Sequence, residues 1–243
     1  MNIITTISPS HINQESQIKS VKSWLDLGFE VYSINHLSEI EALRPLFKEV
    51  KFIEVKRTMF HLFNKHLIPL DLMLELGSDL NDDIVCLINS DIELTKDKEK
   101  LLELFKRAKS GICLVSRYNY DSNIEENSIE KFGLDIFCFH KKFIELIPKS
   151  QFTIGRPLFD YWIPYHFAIN NVPIYSIHDR ISFHKKHPLQ WNKNHWRELS
   201  KDFRNLGHFN DVTEKQRETP SLKEEDIILV MQQANVSKEK ASR

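Results

Sequence analysis

Five short apolar runs alternate with helix-length stretches over the first 116 residues, and this alternation limits the fold more than any other feature. The runs are residues 3–7, 31–34, 51–55, 84–88 and 112–115. β-Branched and aliphatic residues dominate them, and Ser8-Pro9-Ser10 stops the first, so each reads as a strand. The run 84–88, Ile-Val-Cys-Leu-Ile, has no polar position. A strand apolar on both faces needs a cover on both faces. Between the strands, Ile18, Val21, Trp24 and Leu25 share a helical face ahead of Gly28. Ser38 and Glu41 have capping-box spacing. A further helical stretch spans about 60–76, and Leu101, Leu102, Leu104, Phe105 and Ala108 suit the buried face of another. This order predicts an α/β fold with a mostly parallel sheet and helices on both faces. Ligands in such sheets bind beyond the carboxyl ends of the strands. The loops after Ile7, Val55, Ile88 and Val115 are therefore where chemistry is expected.

Composition narrows the class. Hydrophobic residues make up 41% and charged residues 28%, which excludes a disordered or fibrous chain. Lysine and arginine (33) nearly cancel aspartate and glutamate (34), so no overall basic field exists to hold nucleic acid. No stretch approaches the ~20 apolar residues that span a bilayer, and the start lacks a basic leader, so no stable membrane insertion is expected. Cys86, Cys113 and Cys138 each sit in an apolar run and read as small core residues rather than ligands or disulfides. A reducing, cytoplasmic compartment is the matching expectation. Beyond residue 117 the regularity fades: 121–130 reads as loop, 132–139 as strand and 141–147 as a short helix. Residues 152–187 are rich in aromatics, Pro and His.

Three constellations can carry chemistry. Asn89-Ser90-Asp91 follows the apolar strand 84–88, where a carboxylate is placed to hold a divalent cation against a diphosphate. The same three residues also make an ordinary turn. Asp160 lies amid large apolar residues in 152–162, where desolvation would suit it to proton abstraction. Arg156, four residues earlier, could bind phosphate or form a buried structural pair with Asp160. In His184-Lys185-Lys186-His187 the imidazoles suit Mn²⁺ or a similar cation and the lysines suit phosphates, although a surface turn has the same composition. No Gly-x-Ser-x-Gly elbow, Gly-x-x-x-x-Gly-Lys-Ser/Thr loop or Gly-x-Gly-x-x-Gly fingerprint occurs, and zinc-type cysteine pairs are missing.

Taken in order, these pieces resemble a GT-A-fold glycosyltransferase that uses a nucleoside-diphosphate sugar. The likeness covers about residues 1–190. It rests on the opening Ile3 to Pro9, on 85–92 at the family's metal-binding DxD position, on 133–139, on 154–162 and on His184 to His187. The resemblance implies that Thr6 and Ser8 line the base and ribose, and that Arg57 and Lys65 meet donor base or phosphate. It places Asn89, Ser90, Arg156 and Lys185 with the donor as well. Asp91, with His184 or His187, would bind Mn²⁺ or Mg²⁺. Asp135 would contact sugar hydroxyls, Trp162 and Trp191 could stack on sugar faces or be plain core aromatics, and Asp160 would be the general base of an inverting transfer. The acceptor hydroxyl could belong to a glycan, a lipid-linked sugar, a protein or a modified base. Asn89 replaces the first DxD carboxylate, which lowers the expected metal affinity and leaves metal dependence open.

Two alternatives stand beside this reading. A non-catalytic nucleotide-sugar-binding module would keep the sheet, and Asn89 favours it. A nucleotidyltransferase shares the sheet but opens with a glycine-rich loop, whereas Ile3 to Asn13 contains no glycine. We expect one GT-A-like domain over 1–210 and a helical tail over 211–243. Within the tail, 223–241 is similar to the first helix of a ubiquitin-associated (UBA) domain. An amphipathic helix that docks on the catalytic domain, or on a second copy in a homo-oligomer, fits the same residues.

Overall fold

A computed structural model describes residues 1–188 and residue 199. The expected boundary at 210, the tail with its UBA-like stretch, and Trp191 lie outside these residues. In chain order the elements are β1 (Asn2–Thr5), α1 (Gln14–Asp26), β2 (Glu30–Asn35), α2 (Leu37–Leu43), β3 (Lys51–Glu54), α3 (Phe60–Phe63) and α4 (Leu70–Asp79). They continue with β4 (Ile84–Ile88), β5 (Ile92–Leu94), α5 (Lys98–Ala108), β6 (Ile112–Tyr120), β7 (Asn127–His140), a 3₁₀ turn (Lys141–Leu146), α6 (Phe159–Ile169) and β8 (Ile174–Lys185).

All eight strands form one sheet in the order β3-β2-β1-β4-β7-β6-β8-β5. The β3-β2, β2-β1, β1-β4 and β6-β8 junctions are parallel. Strand β7 runs antiparallel to both β4 and β6, and β5 is antiparallel to β8. The expected α/β fold is therefore present, with a parallel half and a mixed half.

Strand β4 shows why both faces are covered. Val85 and Leu87 join a core with residues of α4 and α6, including Met73, Leu74, Phe159 and Ile163. Cys86 and Ile88 point the other way, into a core with Val21 and Trp24 of α1 and Leu101 and Leu104 of α5. Alternating side chains thus feed two cores, which is why the run lacks a polar position. The three cysteines are free and buried, and burial pushes the Cys113 thiol up to about 12, so it packs as a small apolar group.

Some local expectations shift. Ile18 is exposed, because the buried face of α1 runs through Gln17, Ser20, Val21 and Trp24. Leu102 likewise faces solvent on α5. The expected loop 121–130 is shorter, since β6 continues to Tyr120 and β7 starts at Asn127. Helix α6 and strand β8 were hidden in the aromatic segment. Buried residues surround α6, so it has no apolar stripe to detect, and Pro164 interrupts its pattern.

No helix among the described residues is long and apolar enough to cross a membrane. A tight approach sits where β6 begins: a Cβ on Gly111 would meet the Pro173 carbonyl oxygen at 2.2 Å. That carbonyl accepts from the Ile112 N–H at 2.9 Å and ties β6 to the start of β8. Gly111→Ala should therefore lower stability by roughly 1–3 kcal/mol in urea denaturation, as overpacking does. An unchanged midpoint would refute this close packing.

Candidate functional site

A cleft of about 470 Å³ opens where β1, β2 and β4 end. Thr6, Ser8, Lys65, Asn89, Ser90, Asp91, Asp135, Arg156, Asp160, His184 and His187 all line it, so most of the anticipated site residues share one wall. The sheet explains the convergence. Asp91 sits in the tight turn between β4 and β5, and β8 pairs antiparallel with β5 so that His184 lies opposite Ile92. Loop 6–13, after β1, supplies a third imidazole, His11.

These imidazoles surround one carboxylate oxygen. His187 Nε2 lies 3.0 Å, His11 Nε2 3.3 Å and His184 Nε2 3.5 Å from Asp91 Oδ2. Burial by itself would raise the Asp91 pKa, but hydrogen bonds from His11, His184 and His187 hold it well below the ordinary carboxylate range. The contact with Asp91 raises the His187 pKa against the opposing effect of burial.

The donor chemistry fits a divalent cation. Ligand atoms of His11, Asp91 and His187 all lie within 4.8 Å of one another. Carboxylate oxygen and imidazole nitrogen are both common ligands of divalent ions. Asn89 Oδ1, on the same wall, is buried and has no hydrogen-bond partner among the described residues.

Asn89 has a second use. Its Nδ2 donates to Asp135 Oδ1, while Arg117 Nη1 donates to Asp135 Oδ2 at 2.8 Å. An Asp at position 89 would set two carboxylates against each other, whereas the amide makes a hydrogen bond instead. Gly133 makes room for this network, because a Cβ there would meet Arg117 Nε at 2.7 Å.

Further contacts brace the loops. With its amide oriented to satisfy every partner, Gln17 donates to the Ser8 carbonyl at 2.9 Å and accepts from Ser90 Oγ at 2.7 Å. Helix α1 thereby joins the β1 loop to the Asp91 turn. Asn35 donates to the Ile7 carbonyl at 2.7 Å and to Glu39 Oε2 at 3.0 Å, which closes the wall beside β2.

Three expected residues stand elsewhere. Arg57 pairs with Asp71 and is not on the cleft wall. Lys185 is also off the wall. Trp162 is 3% exposed and packs on Phe152 at 4.7 Å, so it serves the core rather than a sugar face. Three residues that stand at or beside the cleft went unnoticed in the sequence: His11, Arg117 and Gln17. Nothing local distinguishes them. His11 in a Ser-His-Ile-Asn stretch reads as a loop residue, and only the sheet brings it to Asp91.

No known family profile matches the chain, and no curated protein sequence does either. Solved structures do resemble it in fold. Staphylococcus aureus TarS residues 1–349, determined in complex with UDP-GlcNAc, superposes with a TM-score of 0.53 at 9% identity. That match covers 84% of this chain and 66% of the TarS fragment. A second S. aureus TarS structure gives a TM-score of 0.50 at 11% identity, over 84% of this chain and 42% of the other. The chain thus spans less than two thirds of the TarS chains it resembles. The architecture is that of the GT-A-type glycosyltransferase fold.

The two raised and lowered pKa values set a pH signature for the chelated protein. His187 binds its proton more tightly folded than unfolded, so its contribution is complete below its ordinary 6.5 and fades as pH rises through the raised value. Asp91 is held low, so its share is complete above the ordinary 3.8 and is lost as the pH falls from there through the lowered value. With EDTA present, the melting-temperature gap between wild type and His187→Ala should be widest near about pH 5 and narrow by about pH 8. A gap that does not vary with pH would contradict the His187–Asp91 pairing.

Proposed function

We propose that the protein transfers a sugar from a nucleoside-diphosphate sugar to an acceptor hydroxyl. The observation that carries this reading is the meeting of Asp91 and its imidazoles, the cations Lys65 and Arg156, and the carboxylate Asp160 in one cleft at the strand ends. That cleft has the position in which open α/β sheets bind nucleotides. The fold is shared with TarS, and the UDP-GlcNAc in that structure supports a nucleotide sugar as the donor class.

In this reading Thr6 and Ser8 line the nucleotide, with the Asn35–Glu39 contact shaping the adjacent wall. Asp91, His184 and His187 would hold a divalent cation, which when bound neutralises diphosphate charge and eases departure of the leaving group. Lys65 and Arg156 add positive charge where the diphosphate separates. Asp135 keeps acceptor capacity for a sugar hydroxyl, since a carboxylate offers about four acceptor sites and the protein occupies two of them. Asp160, in the first turn of α6, takes the proton of the acceptor hydroxyl as its oxygen bonds to the anomeric carbon. Attack opposite the departing diphosphate inverts that carbon.

Two measurements test this. A saturating nucleoside diphosphate should raise the melting temperature, since a ligand at 100 times its Kd adds about 2.7 kcal/mol. Asp160→Asn should keep that shift and lose sugar transfer by roughly 10²–10⁴-fold. Transfer that survives Asp160→Asn removes the base assignment, and no shift with any nucleoside diphosphate removes the whole reading. A wild type that binds nucleotide but transfers to no acceptor would be a binding module instead.

A further inference from the structure

One residue beside the proposed base breaks two local rules at once. Three non-glycine residues among those described have positive φ: Asn64, Leu158 and Asn171. Asparagine tolerates the left-handed region, because its short polar side chain can bond to nearby backbone. Leucine has no such bond to make, and for it the conformation is disfavoured by roughly tenfold in population. Leu158 nevertheless holds φ 74° as the N-cap of α6. An N-cap is ordinarily extended and carries a polar side chain that accepts from the first turn. Leu158 does neither, and its side chain caps nothing.

Burial holds it there. Leu158 is 2% exposed and belongs to the core that contains Phe159, Trp162 and Ile163 of α6. Rotating φ to an ordinary value would draw that side chain out of the core, and a buried leucine stabilises by more than the strain costs. The chain on either side is fixed by separate means. Upstream, the Arg156 N–H donates to the Thr153 carbonyl at 3.2 Å, and Gly155 supplies the positive φ, 74°, inside that turn. Thr153 is bridged to Pro69, and the Leu70 N–H donates to the Phe152 carbonyl at 2.9 Å. The Arg156 guanidinium lies over the Phe63 ring at 5.7 Å, and Pro157 restricts its own φ and the backbone of Arg156. Downstream, the Leu158 carbonyl accepts from the Tyr161 N–H at 3.2 Å and the Trp162 N–H at 3.0 Å, which starts α6 with Asp160 in its first turn. Leu158 is thus the joint between the segment that carries Arg156 and the helix that carries Asp160, and both of those residues line the cleft.

We propose that Leu158 is a positioning residue: its strained, buried backbone sets the Asp160 carboxylate relative to Arg156, and so the acceptor hydroxyl relative to the departing diphosphate. Its side chain packs in the core, so it acts through α6 rather than on a reacting atom. Strain held beside a site in this way pre-organises the groups it carries. Misplacing a reacting group by about 1 Å costs on the order of 10²-fold in rate. A relaxed joint therefore lowers turnover, while the diphosphate, met by the separately anchored Arg156, binds as before. The inference rests on the roles proposed above for Asp160 and Arg156; the strain at Leu158 stands without them.

The test compares Leu158→Ala, Leu158→Gly and Leu158→Met in the full chain, below the melting temperature of each. Glycine takes positive φ at no steric cost and alanine does not, so Leu158→Gly should unfold at a higher urea midpoint than Leu158→Ala, the reverse of their order in a helix. The probe is whichever of UDP, GDP, CDP, ADP and dTDP shifts the wild-type melting temperature most. Turnover is read as release of that diphosphate from its glucose or N-acetylglucosamine conjugate, with water standing in for the acceptor. Leu158→Ala should lose about 10²-fold in kcat. Leu158→Gly should lose about tenfold, since it permits the conformation without enforcing it. Leu158→Met, which keeps a buried side chain of like volume, should stay within about threefold of wild type. Diphosphate affinity, from the same melting shifts, should not change in any of them. An alanine midpoint at or above that of glycine overturns the proposal. So does a kcat that is unchanged in both variants, or one that falls in step with diphosphate affinity. An alanine variant too unstable to fold leaves the glycine kcat to decide. A wild type that binds the diphosphate without turnover removes the proposed function and the role of Leu158 with it, and the midpoint order then still reports the strain by itself.

Discussion

The site is organised around a single negative charge. Asp91 is only 12% exposed in its side chain, a position where an unpartnered carboxylate would be forced to take up a proton. Three imidazoles prevent that, and they come from chain segments as far as 96 residues away in sequence. The charge therefore ties the β1 loop, the β4-β5 turn and the end of β8 to one point. Each of these segments lines the cleft only because it is held there.

The rest of the framework supplies the holding. Thr5 Oγ1 donates to the Ile88 carbonyl at 2.7 Å, so β1 and β4 end at the same level. Trp24 Nε1 donates to the Ile92 carbonyl at 2.8 Å, which fixes α1 on β5 just after the Asp91 turn. Asn89, Asp135 and Arg117 line the same cleft, and their charges are matched only because position 89 carries an amide. The amide at position 89 thus has a local reason in the structure.

The legible and illegible parts of the chain divide along physical lines. Strand β2 and the edge strand β3, which has no fully buried residue, were readable from their β-branched and aromatic residues. The strands β1, β4 and the first half of β6 were readable because burial on both faces writes a largely apolar run. The turn 89–91 was readable as a site because it follows such a run. Helix α6 was not, since it is buried all round and contains Pro164. Strand β8 was not, because its outward half is polar and its pairing partners, Asn119 and Ile92, are distant in sequence. His184 and His187 stood out as a pair, while His11 did not, for it has no neighbour of its own kind in its loop.

The amino-acid order by itself settled the alternation of strand and helix, the two-sided burial of the central strands, and the loops from which chemistry would come. These follow from local hydrophobic periodicity and from turn residues, which act over a few positions. Tertiary structure alone decided that His11 meets Asp91, that Asn89 is matched to Asp135, and that Trp162 faces the core. Hydrogen bonds and Coulomb forces depend on distance in space, and residues far apart in the chain acquire that distance only when the sheet closes.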